Sequence, residues 1–116
     1  MKLLLSLIVL LALPLAAADV SGKWKAEVDV AGNAATPGFT FKQDGGTLTG
    51  TYKGMLGEAP ITGTVEGKKI RWVVKANYDS NPVTIIYTGT IESDTLIKGT
   101  VDFAGQAEGT FTAKKE

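Results

Sequence analysis

The chain has 116 residues, and its 12 lysine and arginine residues are balanced by 12 aspartate and glutamate residues. This balance excludes a strongly basic protein, so we expect no nucleic-acid partner. The chain also lacks histidine and cysteine, which removes the usual general base, the commonest metal ligand and the thiolate nucleophile. We therefore expect a protein that is not an enzyme and that needs neither a metal nor a cofactor.

Residues 1–18 predict a secretory signal peptide. Lys2 precedes an apolar run from Leu3 to Leu15, and the small residues Ala16–Ala18 follow as a cleavage site. The run is short for a membrane-spanning helix. We expect cleavage after Ala18, a secreted or periplasmic location, and one mature domain over residues 19–116. Without cysteine, this exported domain must stand without disulfides.

The mature part predicts eight short β-strands and no helix. Four of them cover Lys23 to Val30, Phe39 to Gln43, Lys69 to Ala76 and Val83 to Ile91. In each, apolar side chains alternate with polar ones, which is the pattern of a strand with one buried face. Eight of the nine aromatic residues share the apolar parity, whereas Tyr78 falls in a predicted loop.

A repeated motif marks the other four predicted strands and also occurs once within the strand from Val83 to Ile91. In each copy a glycine on the apolar face is followed by a threonine on the other face. The glycines are Gly50, Gly63, Gly89, Gly99 and Gly109. Glycine in the middle of a strand normally costs stability, so five copies need a common cause. Strong coiling of a short sheet into a narrow barrel supplies one, and the glycines leave room for aromatic rings or for a ligand.

The pattern predicts an all-β, single, eight-stranded antiparallel up-and-down barrel. Its outward face is mostly Thr, Lys, Glu and Asp, the reverse of a transmembrane barrel, so we expect a soluble domain that does not insert in a membrane. A sandwich also uses eight short strands, but short sequential hairpins favour a meander that closes on itself. Val73 and Ile86 are apolar exceptions on the outward face.

The connections between the predicted strands differ in length. Tight turns are predicted at residues 44–46, 66–68 and 92–94, and longer loops at 31–38, 54–60 and 77–82. In an up-and-down meander, alternate connections lie at opposite ends. We therefore expect a closed end, which includes Trp24, and an open end with the longer loops.

This asymmetry predicts a ligand site at the open end. Apolar contact would supply most of the affinity for a small apolar or aromatic ligand. The predicted wall residues are the inward aromatics Phe41, Tyr52, Trp72 and Tyr87. The predicted rim residues are Met55, Leu56, Asn77, Tyr78 and Asn81. The alternative function is a protein-interaction module, such as a secreted protease inhibitor or a cell-envelope accessory domain, acting through these loops or through residues 19–21.

The opening phrase Ser21-Gly22-Lys23-Trp24 resembles the Gly-x-Trp signature of the calycin barrels, which include lipocalins, fatty-acid-binding proteins and avidins. The phrase around Gly50 and the strand containing Trp72 resemble avidin strands. The chain also resembles small secreted bacterial proteins of no assigned function. In calycins the Gly-x-Trp end is closed and the other end opens on an apolar ligand site, so the resemblance implies a similar site here.

The chain departs from these families in several respects. It is short for a lipocalin, lacks the helix that follows the lipocalin barrel, and has no late-strand arginine over Trp24, for which Lys114 is the expected substitute. Only Tyr52 and Trp72 match avidins by phrase, so biotin binding is not implied. Secreted bacterial metalloprotease inhibitors share a similar Ser-Gly-x-Trp phrase but carry a disulfide.

Overall fold

The computed structural model describes residues 19–116, and the predicted signal peptide lies outside the described residues. The described part is built of β-strands joined by short turns. No helix in it is long and apolar enough to cross a membrane. The strands are β1 (Gly22–Val30), β2 (Asn33–Ala35), β3 (Gly38–Asp44), β4 (Thr47–Gly54), β5 (Gly57–Glu66), β6 (Lys69–Tyr78), β7 (Asn81–Ser93), β8 (Leu96–Phe103) and β9 (Ala107–Lys115).

The sheet closes on itself. From β3 to β9 each strand pairs antiparallel with the next along the chain, and β1 pairs with both β3 and β9. In the closing ladder Trp24 pairs with Lys115 and Val30 with Gly109. The prediction of a closed, antiparallel up-and-down barrel of eight strands is therefore confirmed.

The ninth strand, β2, continues the line of β3 alongside β1. The sequence predicts a loop at this position. Lys25 of β1 pairs with Gly38 of β3. Val28, three residues later in β1, pairs with Ala35 of β2, three residues before Gly38. β2 and β3 therefore keep one register and are separated at Pro37. Proline has no N–H to donate to a ladder, although the Pro37 carbonyl oxygen still accepts a hydrogen bond from the Ala26 N–H at 2.9 Å.

The turns at the open end are shorter than the sequence predicts. Gly54 pairs with Gly57, and Tyr78 pairs with Asn81, so each of these hairpins turns in two residues. The strand pairing continues through segments whose Gly, Asn and Pro content is typical of loops. The turns are grouped at the two ends as predicted, but the predicted difference in length is wrong, because two-residue turns occur at both ends. The turns at 45–46, 67–68 and 94–95 share the closed end, and those at 31–32, 55–56, 79–80 and 104–106 share the open end.

The inward face of the barrel forms a core that contains no charged residue among residues 19–116. Predicted inward positions such as Ala26, Val74 and Tyr87 are buried, and threonines, lysines and carboxylates occupy most of the outer face. Burial of this apolar surface is the main favourable term in folding. Val73 and Ile86, the outward exceptions, are half-buried and pair directly across β6 and β7.

The motif glycines stand where neighbouring backbones approach closely. A Cβ on Gly99 would overlap the carbonyl oxygen of Thr88 and lie 2.5 Å from the Cα of Gly89. Gly63 stands in the same relation to the carbonyl oxygen of Arg71. Because glycine has no Cβ, the neighbouring strands can approach this closely and the sheet can coil tightly. Aromatic residues stand opposite three of these glycines and fill the space they leave: Phe41 opposite Gly50, Trp72 opposite Gly63, and Phe111 opposite Gly99.

The residues just before β1 plug the closed end. Val20 is buried, and its carbonyl oxygen accepts a hydrogen bond from the buried Trp24 Nε1–H at 2.9 Å. Its own N–H donates to Gln43 Oε1 at 2.9 Å. Lys115 Nζ lies 5.9 Å from the centre of the Trp24 ring, a cation–π distance. The prediction that Lys114 covers Trp24 is wrong, because Lys115 is the residue of β9 that pairs with Trp24 and shares its face.

Candidate functional site

A cluster of aromatic rings fills the middle of the barrel. The Trp72 ring stacks on Tyr87, and Phe39, Phe41 and Phe111 approach it edge-on with centroids 4.9–5.3 Å away. These are favoured geometries for aromatic pairs. The Trp72 Nε1–H is buried and has no hydrogen-bond partner. The cluster separates the closed end of the barrel from the open end.

Beyond this cluster, the open end contains a cavity of about 610 Å³. Ligand sites for small molecules commonly have volumes of about 300–1,000 Å³. Side chains of β1, β2, β7 and β8 supply most of the apolar wall. The lining residues are Val28, Val30, Ala31, Asn33, Ala34, Ala35, Pro37, Tyr52, Met55, Leu56, Tyr78, Val83, Ile85, Tyr87, Val101, Phe103 and Ala107.

Three tyrosines belong to this lining: Tyr78 is exposed at the rim, and Tyr52 and Tyr87 are buried in the wall. The Tyr52 hydroxyl accepts a hydrogen bond from the Leu56 N–H at 3.5 Å, which places it beside the turn at the mouth. Burial raises the pKa of Tyr87, with a smaller contribution from Tyr52. The Tyr87 hydroxyl therefore stays neutral and can donate a hydrogen bond at ordinary pH.

The structure brings five of the nine predicted site residues to the cavity. Tyr52 and Tyr87 lie in its wall, and Met55, Leu56 and Tyr78 lie at its rim. Phe41 and Trp72 do not line it, because the tightly packed aromatic cluster encloses them. Asn77 and Asn81 are strand residues outside the lining.

The predicted site residues do not include the aliphatic part of the lining. Val28, Val30, Val83 and Ile85 all have the inward parity of their predicted strands. Their proximity to the open-end turns could have identified them. The β2 residues gave no such signal, because that segment has no alternation of apolar and polar side chains.

The rim exposes apolar side chains. Met55 is 82% exposed, Tyr78 65% and Phe103 36%, and these are the exposed large hydrophobic residues of the described part. The non-glycine residues with positive φ in residues 19–116 also lie in open-end turns: Ala31, Asp79, Ser80 and Ala104. Such strained conformations are often found at binding sites.

The fold and the cavity define a class: a closed eight-stranded antiparallel barrel with a packed aromatic cluster in the middle and an apolar cavity that opens to solvent at one end. The solved structure of a redesigned beta barrel is similar, with a TM-score of 0.71 and 14% identity, covering 84% of this chain and 91% of that chain. At this identity the likeness concerns the fold alone. No model of a known protein family matches the chain, and no curated protein does.

Proposed function

We propose that this protein is a non-enzymatic barrel that binds a small apolar or aromatic ligand in its open end. One observation carries the proposal: an apolar cavity of about 610 Å³ lies at the end where Met55, Tyr78 and Phe103 are exposed. Desolvation of an apolar ligand against this wall would supply most of the affinity. The Tyr52 and Tyr87 hydroxyls would orient the ligand through hydrogen bonds.

The proposal includes a secreted or periplasmic, soluble, calycin-like protein. The signal-peptide pattern of residues 1–18 supports export. The Gly22-x-Trp24 phrase begins the first strand at the closed end, and Lys115 covers Trp24, as a cation covers the corresponding tryptophan in lipocalins. The polar outer face supports a soluble domain.

Native mass spectrometry of the mature chain purified from its own source tests the proposal. We expect a co-purified small molecule in the wild type. The variant Ala107→Trp places a large ring in the cavity and is expected to lose the molecule. Thr110→Trp is the matched control, because Thr110 lies on the outer face of the same strand, β9. The proposal fails if the molecule remains in Ala107→Trp, or if the wild type neither carries a molecule nor binds an apolar dye.

A protein partner is the second candidate, and the exposure of Met55 and Tyr78 favours it. An exposed apolar rim is typical of a protein contact surface as well as of a ligand entrance. In the same experiment, a co-purified protein in place of a small molecule supports this candidate. Substituting Met55→Ser and Tyr78→Ser should then release that partner. The predicted use of residues 19–21 as a binding segment is less favoured, because Val20 is packed inside the closed end.

A further inference from the structure

The cavity wall offers no charge to a ligand. Its lining contains no aspartate, glutamate, lysine or arginine, and the hydroxyl groups in the lining are those of its tyrosines. An ionised group taken from water into such a wall would lose its hydration without gaining an ionic partner, which is costly. The part of a ligand that reaches Tyr87 must therefore be uncharged.

The outer surface around the cavity is acidic. The open half of the barrel, meaning the half nearer the turns at 31–32, 55–56, 79–80 and 104–106, has two lysines, Lys53 and Lys75. It has six carboxylates: Glu27, Asp29, Glu58, Asp79, Asp102 and Glu108. The closed half has the opposite excess, with clusters such as Lys68, Lys69 and Arg71 beside one of its turns. A negatively charged ligand that approaches the mouth is therefore repelled.

From these two features we infer that the open-end cavity selects apolar molecules without an anionic group and rejects fatty acids and other anionic amphiphiles of similar size. This inference rests on the proposed function and adds the charge class of the ligand. The wall and the mouth act in the same direction. The uncharged wall excludes a charged group of the ligand from the inside of the cavity. The acidic mouth disfavours a ligand whose negative group stays at the surface.

Two dyes of nearly the same shape test the inference. N-phenyl-1-naphthylamine is neutral, and 8-anilino-1-naphthalenesulfonate is the same ring system with a sulfonate. Both fluoresce more strongly in apolar surroundings. We expect the mature chain to bind the neutral dye at least about tenfold more tightly at about 20 mM salt. We expect Ala107→Trp to weaken neutral-dye binding and Thr110→Trp to leave it unchanged.

Charge-reversal variants separate the acidic mouth from a general effect of net charge. Glu58→Lys with Glu108→Lys reverses two exposed charges in the open half, and Glu66→Lys with Glu92→Lys reverses two in the closed half. We expect only the first pair to tighten sulfonate binding, by about threefold to tenfold at low salt. Neutral-dye binding should not change in either pair.

The outcomes distinguish the two proposals. If neither dye binds in the cavity, this inference is overturned, and the proposed function fails with it when the wild type also carries no co-purified molecule. If both dyes bind with similar affinity and Ala107→Trp removes both, the ligand-binding function stands and the charge inference is overturned. Equal tightening of sulfonate binding by both charge-reversal pairs would also overturn the role of the mouth.

Discussion

The Trp72 and Tyr87 rings stack with their centroids 5.0 Å apart and their planes 8° from parallel. The two residues pair directly across β6 and β7. Trp72 is fully enclosed, whereas Tyr87 also lines the open-end cavity. This pair therefore marks the boundary between the packed core and the cavity.

Replacing Tyr87 with phenylalanine should reduce the loss of stability in alkaline solution. Burial raises the pKa of Tyr87 above its ordinary value of 10.0, so the folded chain favours the neutral phenol. Its stabilising contribution is fully present below about pH 10 and is lost as the pH rises through the folded-state pKa. Urea unfolding at about pH 8 and about pH 11 should show a smaller drop in unfolding free energy for Tyr87→Phe than for the wild type.

The matched control is Tyr78→Phe, because the Tyr78 side chain is 65% exposed. This variant should show the same alkaline drop as the wild type. Equal drops in all three proteins would contradict the assignment to Tyr87.

Gly99→Ala should destabilise the barrel by about 3 kcal/mol, because its methyl group would overlap the Thr88 carbonyl oxygen on β7. Gly105→Ala is the comparison. Gly105 has a φ of 72° in an open turn, and a Cβ there would have no atom within 4 Å. It should cost only about 1 kcal/mol, from backbone strain. Urea unfolding measures both, and similar losses would argue against close strand approach as the reason for the motif.

Ala104→Gly should stabilise the protein by about 1 kcal/mol. Ala104 has a φ of 56°, which is unfavourable for a residue with a Cβ and natural for glycine. Ala34→Gly, in the short strand β2, is the control and should destabilise by about 0.5–1 kcal/mol through chain entropy. Thermal or urea unfolding decides, and a loss of stability in Ala104→Gly would contradict the expectation.

The two tryptophans should respond differently to replacement by phenylalanine. Trp24→Phe removes a hydrogen bond to the Val20 carbonyl oxygen, whereas Trp72→Phe removes a buried N–H that has no partner. Both changes leave a similar void. Trp72→Phe should therefore be less destabilising, by about 1–2 kcal/mol. Unfolding free energies of the two variants provide the measurement, and a larger loss at Trp72 would refute this account.

The sequence identified the barrel because alternation is a local property. Residues such as Trp72, Val74 and Tyr87 show their inward parity without any knowledge of their partners. It did not identify β2, whose pairing depends on the register already set by Gly38 and Lys25. It also predicted loops at residues 54–60 and 77–82, where ladder hydrogen bonds override the local preference for turns.

The site could be predicted only in part for a related reason. Parity tells which side chains point inward, but it does not give their height along the barrel axis. Phe41 and Trp72 share the parity of Tyr52 and Tyr87. The register places the first pair in the packed cluster and the second pair at the cavity.

The interruption at Pro37 also shapes the way into the cavity. β2 pairs with β1 but with no other strand, so no strand pairing closes the barrel between β2 and the turn at Met55 and Leu56. Both β2 and this turn belong to the cavity lining. The mouth is therefore notched on one side. Under the proposed function, an elongated ligand with its inner end against Tyr87 would extend sideways through this gap, so the height of the rim would not limit its length.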